Sequence, residues 1–349
     1  MYIDTHVHFR DFKESYKETI RHGLEVARDS GVDAVFDMGN TDPPVIARES
    51  VIARFRLARE ANVPEVFYRI NMVLTEDTEQ VKRAADVYRE FPGRVNMKMY
   101  AGHSVRNMGV TSFDAQRNNY IILNREGYDG ILVIHCEKES LLLPNLWTPE
   151  DPVTHCYARP EISEIESVKD QIALAKQAGF KGKLHVAHVS SPAAVDVIDA
   201  ERKAGLDISC GVCPHHFIYN WTQMKKPDGV LWKMNPPLRS PESQQRLFQY
   251  LKEGRIDWIE TDHAPHTLDE KTKPPYASGI PGLAWWPLFE EYLRRKDFSE
   301  QLIEDLTFNN AARRFGLQIE RKRRKLVDRR KDYPFDPYKE IAEQFGWTA

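Results

Sequence analysis

Eight short β-rich runs alternate with longer helical stretches along this chain, and that alternation restricts the fold more than any other feature. Parallel strands cannot be joined by tight turns, so each needs a helical crossover, and repeated β-then-helix units predict a parallel α/β sheet. The runs fall at about residues 2–8, 34–38, 66–73, 95–100, 131–135, 183–188, 207–212 and 258–262. Helical stretches lie between them, at 18–30 closed by Gly31, at 76–90 closed by Pro92-Gly93, and at 164–178 closed by Gly179. Eight such units predict a (β/α)8 TIM barrel over residues 1–320. A doubly wound open sheet is the competing architecture, but no Gly-x-Gly-x-x-Gly turn follows an early run. The length of 349 residues fits one large domain, because such barrels commonly reach about 250 residues and tolerate insertions.

Residues capable of chemistry fall at the C-terminal ends of these runs, the face on which barrel enzymes build their sites. His6 and His8 end the first, Lys98 lies on the fourth, His135 ends the fifth, His188 the sixth and Asp262 the eighth. Alternate residues of a strand share a face, so His6 and His8 form half of a metal site. Any one histidine at the end of a buried strand is as readily a hydrogen-bonded core residue. Four of them with a lysine and an aspartate, from five strand ends, supply enough nitrogen and oxygen for two divalent ions, zinc being favoured by imidazole and carboxylate. An ammonium at Lys98 would be repelled by two dications, so that lysine is neutral, outside the shell, or converted to an anion.

The set His6-x-His8, Lys98, His135, His188 and Asp262 resembles the amidohydrolase superfamily. The resemblance implies two Zn2+ ions bridged by an N6-carboxylated Lys98, with His6, His8 and Asp262 on one ion and His135 and His188 on the other. Within that superfamily the chain is similar to the dihydroorotase family. His6-Val7-His8-Phe9-Arg10 and Met38-Gly39-Asn40-Thr41-Asp42-Pro43-Pro44 are followed in order by Ala187-His188-Val189-Ser190-Ser191, Cys213-Pro214-His215-His216, Met234-Asn235-Pro236-Pro237-Leu238-Arg239, Thr261-Asp262-His263-Ala264-Pro265-His266 and Gly279-Ile280-Pro281-Gly282-Leu283. The likeness runs from about residue 2 to residue 316. It implies interconversion of L-dihydroorotate and N-carbamoyl-L-aspartate in pyrimidine biosynthesis, by a hydroxide activated at two metals, with Asp262 as general base and then acid. Arg10, Asn40 and His266 would hold the substrate carboxylate and Asn235 would border the ring. Gly39 stands where the family usually has proline, a change in backbone freedom beside a substrate residue. The first barrel strand opens the chain, so no β-sandwich domain is expected.

Two other functions compete. An allantoinase or hydantoinase would use the same metals on a ring without a carboxylate, which Arg10 with Asn40 argues against. A non-catalytic scaffold would have no need of all six ligands. A net charge of −3 with 29% charged residues gives no basic field for nucleic acid. No apolar stretch approaches the roughly 20 residues that cross a bilayer. Asp4, His6 and His8 interrupt the place of a signal-peptide core, so the cytosol is the expected compartment. The expected partners are a small-molecule substrate and further copies of the chain, as a homodimer or other homo-oligomer. Cys136, Cys156, Cys210 and Cys213 read as reduced packing residues rather than a disulfide framework. Residues 321–349, which open with a basic run, read as an extension packed on the barrel or at a subunit contact, with a short helix near 338–345. Segments 102–109 and 266–278 are candidates for a lid. His103, His155, His215, His216 and His263 receive no role from spacing alone.

Overall fold

The computed structural model describes residues 1–103, 108–321 and 324–347. Its eight strands, β1 (Tyr2–Val7), β2 (Val32–Met38), β3 (Phe67–Val73), β4 (Val95–Ala101), β5 (Ile131–Cys136), β6 (Lys183–Val186), β7 (Ile208–Val212) and β8 (Trp258–Ile259), pair in parallel in chain order. A parallel bridge between Val7 and His263 brings the two edge strands together, and the His8 amide donates to the His263 carbonyl at 2.7 Å. The ring therefore closes just beyond β8, and this closure removes the open edges that a flat sheet would leave unpaired.

Two apolar layers hold the barrel. Between strands and helices lies a large core that includes Val35, Ile70, Met97 and Leu132. Inside the ring a smaller cluster, Ile3, Phe36, Val133 and Trp258 among others, is plugged by Phe308 and Phe315. The helices lie close to the sequence expectation, at Ile20–Asp29, Thr78–Glu90 and Glu161–Ala178. Thr19 and Asp77 accept backbone N–H groups at the first two N-termini, satisfying donors that the helix leaves free.

The strands differ from expectation at their C-terminal ends. His8, His188 and Asp262 fall just past β1, β6 and β8, and His188 and Asp262 adopt φ of 41° and 48°. The chain has already left the sheet where these side chains turn inward. The register between β1 and β2 also shifts between Asp4 and Val7. Ile3 joins the inner cluster and Thr5 bonds Glu260 at 2.6 Å, while Val7 joins the outer core. Strict alternation would send His6 outward with Tyr2 and Asp4; the irregularity turns it inward, as bulges beside active sites do.

Among the described residues there is one sheet, with no second β-domain. The tail lies against the barrel. Arg324 pairs with Asp33, Arg329 with Asp29, and Tyr333 and Tyr338 are buried. Its short helix is Lys339–Gln344. No helix is long and apolar enough to cross a membrane among the described residues.

Candidate active site

At the C-terminal rim the six predicted ligands converge. His8 Nδ1 meets Asn40 Oδ1 at 2.7 Å; with that oxygen accepting, Nδ1 carries the hydrogen and Nε2 keeps its lone pair. Yet Nε2 lies 2.8 Å from Asp262 Oδ1, and His6 Nε2 approaches the same oxygen at 3.4 Å. Lone pairs so close repel unless a cation or proton sits between them. One donor atom each from His6, His8 and Asp262 lies within 4.8 Å of the others, and all three residues are buried.

The second half of the set has the same character. His135 Nε2 faces Glu137 Oε2 at 3.0 Å, which leaves Nδ1 to point at His188 Nε2, 3.2 Å away. His6 and His188 rings lie 4.9 Å apart, joining the two halves. Burial, reinforced by neighbouring cationic groups, lowers the basicity of His6 and His188 well below the ordinary value. Burial also lowers that of His135, against the pull of Glu137. All three are thereby held as neutral imidazoles, the form that ligates metal. Lys98 is fully buried, and its Nζ has no hydrogen-bond partner among the described residues. Burial brings its pKa down to about 8, against the attraction of Glu260 and Asp262. An unpaired amine among neutral imidazoles and a carboxylate fits a metal-binding centre better than it fits a satisfied core.

Several groups that hold this cluster escaped the sequence reading. Glu260 lies completely buried beneath it: Oε1 accepts the His188 amide at 2.6 Å and lies 3.8 Å from His6 Nδ1, while Oε2 accepts from Thr5 at 2.6 Å. Burial alone would raise its pKa, but His185, Thr5 and the His188 amide outweigh that and hold it low. Gly211 makes the room, since a Cβ there would come within 2.6 Å of the Glu260 carboxyl carbon. Glu137 grips His135 and is itself clamped by Arg159. Glu260 and Glu137 each stand two residues from a predicted ligand, the spacing at which an extended strand would put them on one face, and that spacing was the available signal.

Above the cluster is a cavity of about 340 Å3, a size suited to a small ring. Arg10, Asn40, Asn235 and His266 all line it. Arg10 Nη2 lies 3.0 Å from His266 Nε2, and its backbone carbonyl accepts from the buried Arg54 at 2.8 Å. Asn40 is already engaged by His8, so it orients a predicted metal ligand as well as walling the cavity. His155 Nε2 lies 3.0 Å from Asn235 Oδ1, giving that unassigned histidine a positioning role. His263 supports the seam: its Nε2 meets Glu18 at 3.0 Å, and its Nδ1 accepts the Gly282 and Leu283 amides. Tyr100, also missed, faces the cavity with a hydroxyl that has no hydrogen-bond partner among the described residues. The roof is the segment 275–279, at the end of one candidate lid; of the other, residues 104–107 lie outside the described residues. A larger open groove of about 950 Å3 beside Phe55 and Phe67 has no histidine or cysteine in its lining among the described residues.

A parallel barrel with four imidazoles, a buried amine and a carboxylate at its carboxyl rim has the architecture of the cyclic amidohydrolases. L-Hydantoinase (dihydropyrimidinase) from Arthrobacter aurescens superposes with a TM-score of 0.78 at 20% identity, over 94% of this chain and 74% of that one. Dihydroorotase from Saccharomyces cerevisiae, solved with 5-fluoroorotic acid, gives a TM-score of 0.73 at 16% identity, over 91% of this chain and 84% of that one. Sequence is more specific. The chain is 33% identical over 320 residues to dihydroorotase of Brevibacillus brevis, covering 88% of this chain and 72% of that protein. It is 31% identical over 327 residues to dihydroorotase of Listeria innocua, covering 89% and 71%. This chain belongs to the dihydroorotase family. No family model matches it.

Proposed function

We propose that this chain is a dihydroorotase that opens and closes L-dihydroorotate and N-carbamoyl-L-aspartate in pyrimidine biosynthesis, with the six rim residues holding two divalent ions, zinc by preference. The observation that carries this reading is the approach of His8 Nε2 to Asp262 Oδ1 at 2.8 Å, with the hydrogen of His8 committed to Asn40. His6, His8 and Asp262 would hold one ion, His135 and His188 the other, with Lys98 between them as a carbamate. Burial prepares Lys98 for that change, because a free amine is the form that adds to carbon dioxide and a pKa of about 8 makes it accessible near neutrality. The bound ions would supply a water made acidic enough to deprotonate near pH 7 and positive charge for the developing oxyanion.

The chain's own groups do the rest. Asp262 lines the cavity beside His6 and His8, where its carboxylate would take a proton and return it to the departing ring nitrogen. Arg10 presents its guanidinium to a substrate carboxylate, with His266 beside it. Asn235, steadied by His155, borders the ring. Hydantoins and allantoin lack a carboxylate for Arg10, which favours dihydroorotate over those rings, and the complete ligand set favours catalysis over a scaffold role. We extend the reading to a cytosolic homo-oligomer in which residues 321–349 are an appendage of a single barrel domain.

The test is metal content together with dihydroorotate turnover, followed by ultraviolet absorbance, in the parent, Lys98→Ala and Asp262→Asn. We expect Lys98→Ala to lose metal and activity together. Asp262→Asn should retain part of the metal with turnover down by at least about a hundredfold, the lower end of the range for general acid-base groups. Two ions and a near-parental rate in Lys98→Ala would refute the reading.

A further inference from the structure

We infer that Cys213, His215 and His216 form a second, single-ion site for a thiophilic cation of the zinc type, distinct from the six-residue centre. The three residues follow β7, with both histidines in the short helix Pro214–Ile218, and each is at least nine-tenths buried. Each offers one donor atom within 4.8 Å of the other two, one of two such groupings among the described residues. Bonds of about 2.3 Å to sulfur and about 2.0 Å to nitrogen put tetrahedral ligand atoms about 3.3–3.6 Å apart, inside that limit.

Hydrogen bonding engages one nitrogen of each histidine and leaves the other without a partner among the described residues. His216 Nε2 donates to the Pro236 carbonyl at 3.0 Å, which fixes the hydrogen there and leaves Nδ1 as an acceptor with no partner among the described residues. On His215 the Nδ1 side lies 3.5 Å from the Tyr338 hydroxyl, while Nε2 is likewise without a partner. The two rings are 4.3 Å apart and edge to face. Cys213 is a free, buried thiol. Two orphan imidazole nitrogens beside a thiol are costly in a dry interior, and one cation satisfies all three. Burial, reinforced by the carboxylates of Asp262, Glu260 and Asp4, pushes the Cys213 thiol well above its ordinary value, so its proton leaves only in exchange for a cation.

Binding exchanges the thiol proton for the ion: the S–H bond breaks, the sulfur–metal bond forms and one proton leaves to solvent. A Cys-His-His donor set suits a borderline or soft ion and distinguishes this site from the first centre, which has no sulfur. Through the His216–Pro236 bond an ion here would also stiffen the turn that carries Asn235.

Titration of the holoenzyme with cobalt(II) tests the site, because a thiolate ligand produces a sulfur-to-cobalt charge-transfer band in the near ultraviolet and the first centre cannot. We expect that band in the parent, with one more equivalent of cobalt than in Cys213→Ser, and its persistence in Lys98→Ala, where the first centre is lost. The band should vanish in Cys213→Ser and fade at least tenfold in His216→Gln, which keeps the sulfur and an amide donor toward Pro236. Absence of the band from the parent at saturating cobalt overturns the inference, whether or not the first centre binds metal. So does an undiminished band in either variant.

Discussion

Glu260 supports two of the predicted ligands at once, although it does not line the cavity. It receives the His188 amide and Thr5, faces His6, and so fixes imidazoles from β1 and from the end of β6 with one carboxylate. Removing such a partner typically costs about 10–100-fold in metal affinity. Glu260→Gln keeps the shape but replaces a charged acceptor by an amide, and a competition titration against a chromophoric chelator should show affinity down by about tenfold or more; unchanged affinity would assign Glu260 to stability alone. Arg10 acts on the other side of the cavity. Arg10→Ala should raise KM by about tenfold or more for dihydroorotate while leaving kcat within a few-fold, because the proposed carboxylate contact would be made equally in ground and transition states. A variant that binds dihydroorotate as tightly as the parent would remove the basis for the carboxylate assignment.

At the scale of elements, the roof of the cavity is held by two lysines. Lys271 is fully buried and donates to the carbonyls of Lys233, Ala277 and Gly279 at 2.8, 3.0 and 2.8 Å. Lys233 Nζ meets the Tyr276 carbonyl at 2.7 Å. Lys271→Met retains the bulk but removes three hydrogen bonds to main-chain carbonyls, so residues 275–279 should become cleavable by protease and KM should rise by several-fold. Protection equal to the parent's would show that packing alone holds the roof. Sequence indicated this segment through its polarity but not its anchor, because a buried lysine bonded only to main-chain carbonyls has no partner side chain to reveal it. The same division runs through the barrel. Helix spans were legible from periodicity and capping residues, and the six residues that converge at the rim from their places at strand ends. The inward turn of His6 was not, because it depends on a register shift between Asp4 and Val7 that side-chain alternation does not encode. Nor was the role of His263, whose partners Glu18, Gly282 and Leu283 lie far from it in the chain or on the following loop.

For the whole molecule, buried neutral histidines dictate how stability changes with acidity. Burial lowers the pKa of His155 from 6.5 to about 3 and that of His216 from 6.5 to about 4. Between pH 6.5 and 4 each is protonated only in the unfolded chain, so each lowers stability by about 1.4 kcal/mol per pH unit as the pH falls. Asp4 works in the opposite sense, since burial raises its pKa from 3.8 to about 6 and the folded state gains that proton first. His6, His188, His215 and His266, all lowered well below 6.5, add to the loss. Denaturant titrations should therefore show a steady fall in stability from pH 6.5 to pH 4, and a flat profile would contradict the burial of neutral imidazoles. The seam of the ring has its own consequence. Val7 and His263 bridge the first and last strands, and beside that join stand His6 and His8 on one bank and Asp262 on the other. Parting the banks by even a few ångströms would unmake the ligand set, so escape of the ions should report the moment at which the cylinder springs open.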